Sequence, residues 1–257
     1  MQTGHPPGDE GNRSFRCMAP CFLILLLLAA ITASCRSKRD PLSGFPLVVL
    51  WAWERPERLG YLDPRQAGVA FLAGTITWRE GHVTWRPRYQ ALEVPARTVV
   101  MAVIRMESNS LPLPNPNTIA SRILEAVELA RVHDVQIDFD ARLSEREWYA
   151  TVLRVVRQRL RANVSLNITA LASWCLGDPW IRNLPINDAV PMLFRMGQGE
   201  PSGVTDFSAE VCRSSVGIST DEALLTVPRG RRLFIFHPRP WTPEAYRAAM
   251  EIARRLR

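Results

Sequence analysis

The sequence predicts an α/β fold, a compact (β/α)8 barrel of the TIM type in a single domain. Three observations carry that prediction. About eight short apolar runs with strand character recur along the chain after its first forty residues. Most are separated by amphipathic helix patterns or by loops, the alternation that builds parallel βα units. Polar residues, acids among them, gather at the carboxyl ends of several runs, where α/β folds place their sites. An open doubly wound sheet is the alternative, but its first strand would lack the Gly-rich phosphate turn such folds use.

The chain has 257 residues, 47% of them hydrophobic, enough for one large domain. Residues 1–40 differ from the rest. A polar start with Arg13 and Arg16 leads into the apolar run Phe22–Ala33 and ends in small residues at Cys35. That run is too short to span a bilayer and has the length of a signal-peptide core. Thr32-Ala33-Ser34-Cys35 resembles a bacterial lipobox, in which the Cys is acylated and becomes the mature N-terminus. Thr32 replaces the usual Leu, so ordinary export is the alternative, and Met18 is a candidate initiator. The expectation is an exported protein with a leader over 1–35 and a barrel over 36–257, attached to a membrane only through a lipid or signal anchor.

The formal charge of +7 does not point to nucleic acid. Lys38 is the only lysine, the arginines are scattered rather than clustered, and no nucleic-acid-binding motif occurs. Outside the leader only Cys175 and Cys212 remain of five cysteines. In an oxidising compartment they are expected to form a disulfide, with two buried thiols as the alternative. Neither has a Cys or His at ligand spacing, so no metal is expected, and nothing calls for a cofactor.

In order along the chain, Phe45–Trp53 and Val69–Thr77 read as the first two strands. Gly81–Pro95 reads as an extended, partly exposed excursion around Trp85 and Pro87, and Thr98–Glu107 as the third strand. A helix from Asn115-Pro116 through Arg131 follows, with Ile119, Ile123, Leu124, Val127 and Ala130 at helical spacing. Val135–Arg142, VQIDFDAR, is the fourth strand, with Val135, Ile137 and Phe139 on one face and Gln136, Asp138 and Asp140 on the other. Ser144–Glu147 has capping-box spacing for a helix reaching Arg161, buried through Trp148, Val152, Val155, Val156 and Leu160. Ser165–Ser173 is a strand, Asp178-Pro179 caps a short helix, Ala189–Met196 is a strand, and a helical piece lies around Asp206–Arg213. Ser215–Ser219 and Arg232–His237 complete the strands, and Thr242-Pro243-Glu244 starts a terminal helix carrying Tyr246, Met250, Ala253 and Leu256.

Two acids on one face of an apolar strand cost free energy to bury unless they line a wet cavity or have partners. With Asp138 and Asp140 turned into the barrel, alternation also offers Arg105, Glu107, Asn167, Thr169, Arg195 and His237 as inward residues. It places Ile104, Met106, Ile168, Phe194 and Phe236 against the helices. Trp51, Trp53, Trp174, Trp180 and Trp241 fall near strand ends, where flat rings suit the faces of sugars. Each residue also has a structural reading. The acids can pair with Arg105, Arg142 and Arg195, His237 can be a hydrogen-bonded structural residue, and single tryptophans are good core fillers.

The strings VQIDFDARLSEREWY, SLNITALASWCLGDPW and DAVPMLFRMG resemble an uncharacterised bacterial family, defined only as a domain of unknown function and described as a glycoside-hydrolase-like barrel. That resemblance covers most of the chain after the leader; it implies the fold and an exported location and supplies no reaction. VQIDFDAR alone resembles the fourth-strand signature of chitinase-type barrels, in which D-x-D is followed two residues later by a Glu acid. Asp138 and Asp140 match the aspartates, but Arg142 stands in place of that Glu, so chitinase activity is not expected.

Glycosidases need one carboxylic acid to protonate the leaving oxygen and one carboxylate to attack or to activate water. The expected pair is Asp140 and Glu107, with Asp138 keeping Asp140 protonated by like-charge proximity. Arg195, His237 and Asn167 are expected to bind substrate, beside stacking by Trp51, Trp53, Trp174 and Trp241. The partner is then a poly- or oligosaccharide. The competing readings are a non-catalytic carbohydrate-binding barrel and an envelope scaffold, the latter presenting a large exposed apolar patch.

Overall fold

In the computed structural model, which describes residues 40, 42–108, 111–196, 204–222 and 226–256, eight parallel strands close into a barrel. The leader and Cys35 lie outside the described residues. Around the barrel run β1 (Val48–Ala52), β3 (Ala67–Arg79), β6 (Val100–Ser108), β7 (Asp134–Asp138), β8 (Ser165–Leu171), β9 (Asp188–Met192), β10 (Ser215–Ser219) and β11 (Arg232–Phe236). Every neighbouring pair is parallel, and β1 closes the ring between β11 and β3, with Val49 opposite Phe234 on one side and Gly68 on the other. All eight strands fall where the apolar runs predict them.

The excursion over 81–95 contains strand. β4 (His82–Pro87) folds back antiparallel on the overlong β3 through Glu80 and Gly81, both at positive φ as a tight hairpin turn requires. The two-residue strands β2 (Glu57–Arg58) and β5 (Leu92–Glu93) pair beside the barrel.

The helical layer is incomplete. α1 (Pro116–Ala130), α2 (Arg146–Arg159) and α4 (Pro243–Arg255) follow β6, β7 and β11, and the one-turn α3 (Ala172–Leu176) follows β8. Among the described residues no α-helix joins β1 to β3, β9 to β10 or β10 to β11. The predicted helical pieces near Trp180 and Arg213 are 3-10 turns, Pro179–Asn183 and Glu210–Cys212. The caps follow the sequence: the side chains of Asn115, Asp178 and Thr242 accept from the backbone N–H of Asn117, Trp180 and Ala245. At α2 it is Glu145, rather than Ser144 and Glu147, that closes the helix entry, its carboxylate accepting from the Arg142 N–H at 2.8 Å.

Alternation divides the apolar side chains into two cores. Ile104, Ile137, Phe139 and Ile168 pack outward against helix residues such as Ile119, Ile123, Tyr149 and Val152. Val49, Trp51, Met101, Val103, Val190 and Phe234 fill the barrel interior. Phe194 and Phe236, expected against the helices, pack with this interior group instead. Phe236 shares its face with Phe234, two residues back, which puts even-numbered β11 residues inward. Phe194 likewise continues the inward phase of Met192 and Val190, two and four residues back, so even-numbered residues of β9 and its extension face the interior.

Cys175 and Cys212 form a disulfide with Cα atoms 5.9 Å apart. It ties α3 to the 3-10 turn before β10 across a sequence separation of 37, worth about 4 kcal/mol in the chain-entropy treatment.

Candidate functional site

A cavity of about 370 Å³ opens at the carboxyl ends of the strands. Its acids come from β7. Asp138 ends the strand as an inward residue, and Asp140 continues the same face into the loop beyond. Arg105 of β6 and Thr169 of β8 flank them, standing on neighbouring strands with the same inward phase. A second, smaller cavity of about 190 Å³ adjoins; Asp138, Asp140 and Arg105 line it too, joined by Glu107, Arg142 and Glu145.

The two aspartates differ in surroundings. Asp138 is enclosed by protein on every side except toward the cavities and accepts from Thr169 Oγ1 at 2.8 Å. Burial pushes its carboxyl up, and the charges of Asp140 and Glu107 push the same way against the pull of Thr169 and Arg105. Asp140 is raised by burial alone and lowered by Arg105. The two carboxyls stand close enough for like charge to disfavour ionising both. Glu107 is ion-paired with Arg105 at 2.9 Å and half exposed, on the smaller cavity rather than the larger one.

The remaining wall is aromatic. Trp51 and Trp53 of the first strand and its extension, Phe194 after β9, and Phe236 of β11 surround the larger cavity. Phe194 and Phe236 stack in parallel with centroids 5.7 Å apart, and Trp53 meets Phe236 edge-on at 6.3 Å. The Trp51 indole spans the barrel beneath them, donating from Nε1 to Gln136 Oε1 at 2.9 Å. Gly217 makes this placement feasible, because a Cβ there would lie 2.9 Å from the indole. Two guanidinium groups lie over the rings, Arg105 at 5.6 Å from Trp53 and Arg195 at 5.2 Å from Phe236.

Of the residues expected to bind substrate, the cavity gathers Trp51, Trp53 and Arg195. Four others lie elsewhere. Trp174 is buried beneath the loops, edge-on to Trp180 at 4.9 Å. Trp241 is buried with its Nε1 donating to the Trp51 carbonyl, so it braces the back of β1 rather than the rim. His237 is hydrogen-bonded to Thr220 Oγ1 at 2.6 Å and lies against Trp241. Asn167 is fully buried lower in the barrel, donating to the Val135 carbonyl and to Ser165 Oγ. Strand-end position alone cannot tell a rim tryptophan from one folded under a loop. Phe194, Phe236 and Gly217 are the site residues the alternation reading missed; the i, i+2 spacing of Met192 and Phe194 and of Phe234 and Phe236 is the signal that could have found the first two of them. Among the described residues no group of three metal-ligating side chains occurs.

No protein-family model matches the chain, and no curated protein matches it by sequence. The family resemblance is carried by the quoted motifs alone. Among solved structures the chain is similar to the Bacillus cereus spore cortex-lytic enzyme SleL, at 15% identity and a TM-score of 0.45. The match covers 72% of this chain and 54% of that one, so the chain spans about half the length of that structure.

Proposed function

We propose that this barrel is an exported, glycoside-hydrolase-like protein that holds a poly- or oligosaccharide in the larger cavity and cleaves it with carboxyl chemistry. One observation carries the reading: a cavity at the carboxyl end of the barrel combines two burial-raised carboxyls with a wall of aromatic rings. The rings supply flat apolar faces for pyranose C–H groups, and the carboxyls supply the acid that glycosidic cleavage requires. In this reading Asp140, shared by both cavities and raised by burial, protonates the leaving oxygen. Glu107, across the smaller cavity and charge-paired with Arg105, is the carboxylate that attacks or activates water. Asp138, accepting from Thr169, sets the local charge around Asp140. The disulfide agrees with an oxidising compartment, as export through a leader over 1–35 would require.

The second reading, a carbohydrate-binding barrel without turnover, draws on Glu107. Its carboxylate is already engaged by Arg105 and does not line the larger cavity. One experiment separates the two: a polysaccharide screen of the purified chain, scoring binding and product release in parallel. Product release that disappears in Asp140→Asn and Glu107→Gln, with binding retained, establishes hydrolysis. Binding without release, unaffected by those changes and weakened roughly tenfold by Trp53→Ala, establishes a binder. Absence of both sinks the carbohydrate reading.

A further inference from the structure

The larger cavity contains a second electrostatic feature, on the wall away from the acids. Arg195 lies just past β9, one strand beyond β8 from Asp138 and Asp140. Its backbone is at φ 52°, the left-handed region that a residue with a branched-out side chain enters at a cost. The other non-Gly residues in that region, Glu80, Arg97 and Arg131, lie away from the cavity, and Glu80 and Arg131 have simple turn or helix-end roles. At Arg195 the conformation is held by the carboxylate of Glu222, both oxygens of which accept the Arg195 N–H at 3.0 Å. The result is a side chain delivered to the cavity wall.

What is delivered is a guanidinium with its donors unspent. Its Cζ lies 5.2 Å from the centroid of Phe236, whose ring is itself stacked on Phe194, so an aromatic face backs the group. Its nearest carboxylate, Asp221, stands at 3.7 Å, beyond hydrogen-bond distance, and among the described residues the guanidinium makes no hydrogen bond. The group remains more than half exposed. Arg105, the other arginine of the cavity, also lies over a ring but has its Nε already committed to Glu107 at 2.9 Å. A planar guanidinium whose N–H groups make no hydrogen bond matches a carboxylate in the two-point manner that Lys or a neutral donor does not. The acids of β7 do not cancel this attraction: Asp138 is pushed toward its neutral form, and Arg105 sits beside Asp140.

We propose that the cavity takes a saccharide bearing a carboxylate on or beside its ring, and that Arg195 is the residue that selects it. This rests on the carbohydrate reading above and narrows it to acidic sugars. A neutral sugar would leave the Arg195 donors to water, whereas a sugar carboxylate replaces that water with a bidentate ion pair held against an aromatic face.

The test is a matched panel of methyl glycosides bound to the full chain and followed by saturation-transfer NMR. It compares glucuronate, galacturonate and mannuronate with glucose, galactose and mannose, and N-acetylmuramic acid with N-acetylglucosamine, so that ring acids and ether-linked acids are scored separately. The expected result is at least one acidic sugar bound roughly tenfold more tightly than its neutral partner. Arg195→Gln should erase that difference, and Arg195→Lys should restore only part of it. Thermal melts of both variants control for folding. Neutral sugars binding as well as their acidic partners would overturn the inference while leaving the carbohydrate reading intact. A preference lost with Arg105→Gln but kept in Arg195→Gln would overturn the assignment to Arg195. If no sugar of either kind binds, both readings fall.

Discussion

One pleat of β7 separates two layers of polar side chains that share a chemistry and differ in access. Asp138 belongs to the upper layer, with Thr169 and Arg105, and opens on the cavities. Gln136, two residues earlier, belongs to the lower layer, opposite Asn167, which is opposite Asp188 on β9. With Ser215 and Arg232 these residues form a polar floor with almost no solvent contact. Asp188 in the floor and Asp138 in the cavity are both carboxyls raised by burial, Asp188 to about 7. Trp51 lies between the layers, bonded to Gln136 below and lining the cavity above. A perturbed acid by itself therefore does not mark a site. What distinguishes Asp138 is the open volume in front of it, whereas Asp188 is sealed and its raised pKa is spent on the fold.

The sharpest way to break that comparison is to neutralise one acid in each layer. Asp140→Asn should lower kcat/KM on a saccharide substrate by about 10²–10⁴-fold, the usual worth of a general acid. Asp188→Asn should leave the rate within roughly twofold, since no cavity reaches it. Equal losses in the two variants would show that the layers are not functionally distinct.

Stability should respond in the opposite sense. Burial raises the Asp188 carboxyl above its ordinary value of 3.8, so the folded chain keeps a proton that the unfolded chain releases. That contribution is fully present below about pH 4, declines as pH rises, and is lost once pH passes about 7. It amounts to about 4 kcal/mol across the window. Asp40 acts outside this window, because Arg232 holds its carboxyl below the usual range and its contribution is lost only as pH falls below about 4. Urea melts at pH 5 and pH 8 should show wild type losing stability and Asp188→Asn losing distinctly less, the remaining slope coming from other burial-raised acids such as Asp138 and Asp140. A wild-type curve that rises with pH would remove Asp188 from the account.

Reduction of the Cys175–Cys212 bond should cost a similar amount, about 4 kcal/mol, but should act on the upper layer. α3 carries Cys175 and also supplies Ala172 and Ser173 to the cavity wall. Hydrogen exchange after reduction is expected to quicken around 172–176 and 210–212 before it quickens in the floor strands.

The smallest expected effect is Gly217→Ala, which places a methyl group against the Trp51 indole. About 1–3 kcal/mol of stability should be lost as the ring shifts. Quenching of tryptophan fluorescence by a bound saccharide should change with it, because the moved ring faces the cavity.

Much of the architecture was legible before any coordinates. The eight apolar runs, the caps at Asn115, Asp178 and Thr242, and the paired cysteines all follow from local rules, and each was found where those rules put it. The position of Asp138 and Asp140 at the carboxyl end of β7 was equally readable, because period two fixes which residues of one strand share a face. Alternation does not by itself say which face looks into a closed barrel. That phase is set by register with the neighbours, and it turned Phe236 inward against the expectation that favoured His237.

The sequence by itself determined the order of elements, the parallel barrel and the two acids that face its carboxyl end, because these depend on side-chain periodicity over a few residues. Only the tertiary structure decided which aromatics line the cavity, since Trp174 and Trp241 are buried by chain segments distant from them or folded over them. It also decided that Asn167 joins a sealed floor with Asp188 rather than the site, and that Arg195 reaches the wall through a left-handed turn held by Glu222. Those outcomes depend on contacts between residues far apart in the chain, which no local pattern encodes.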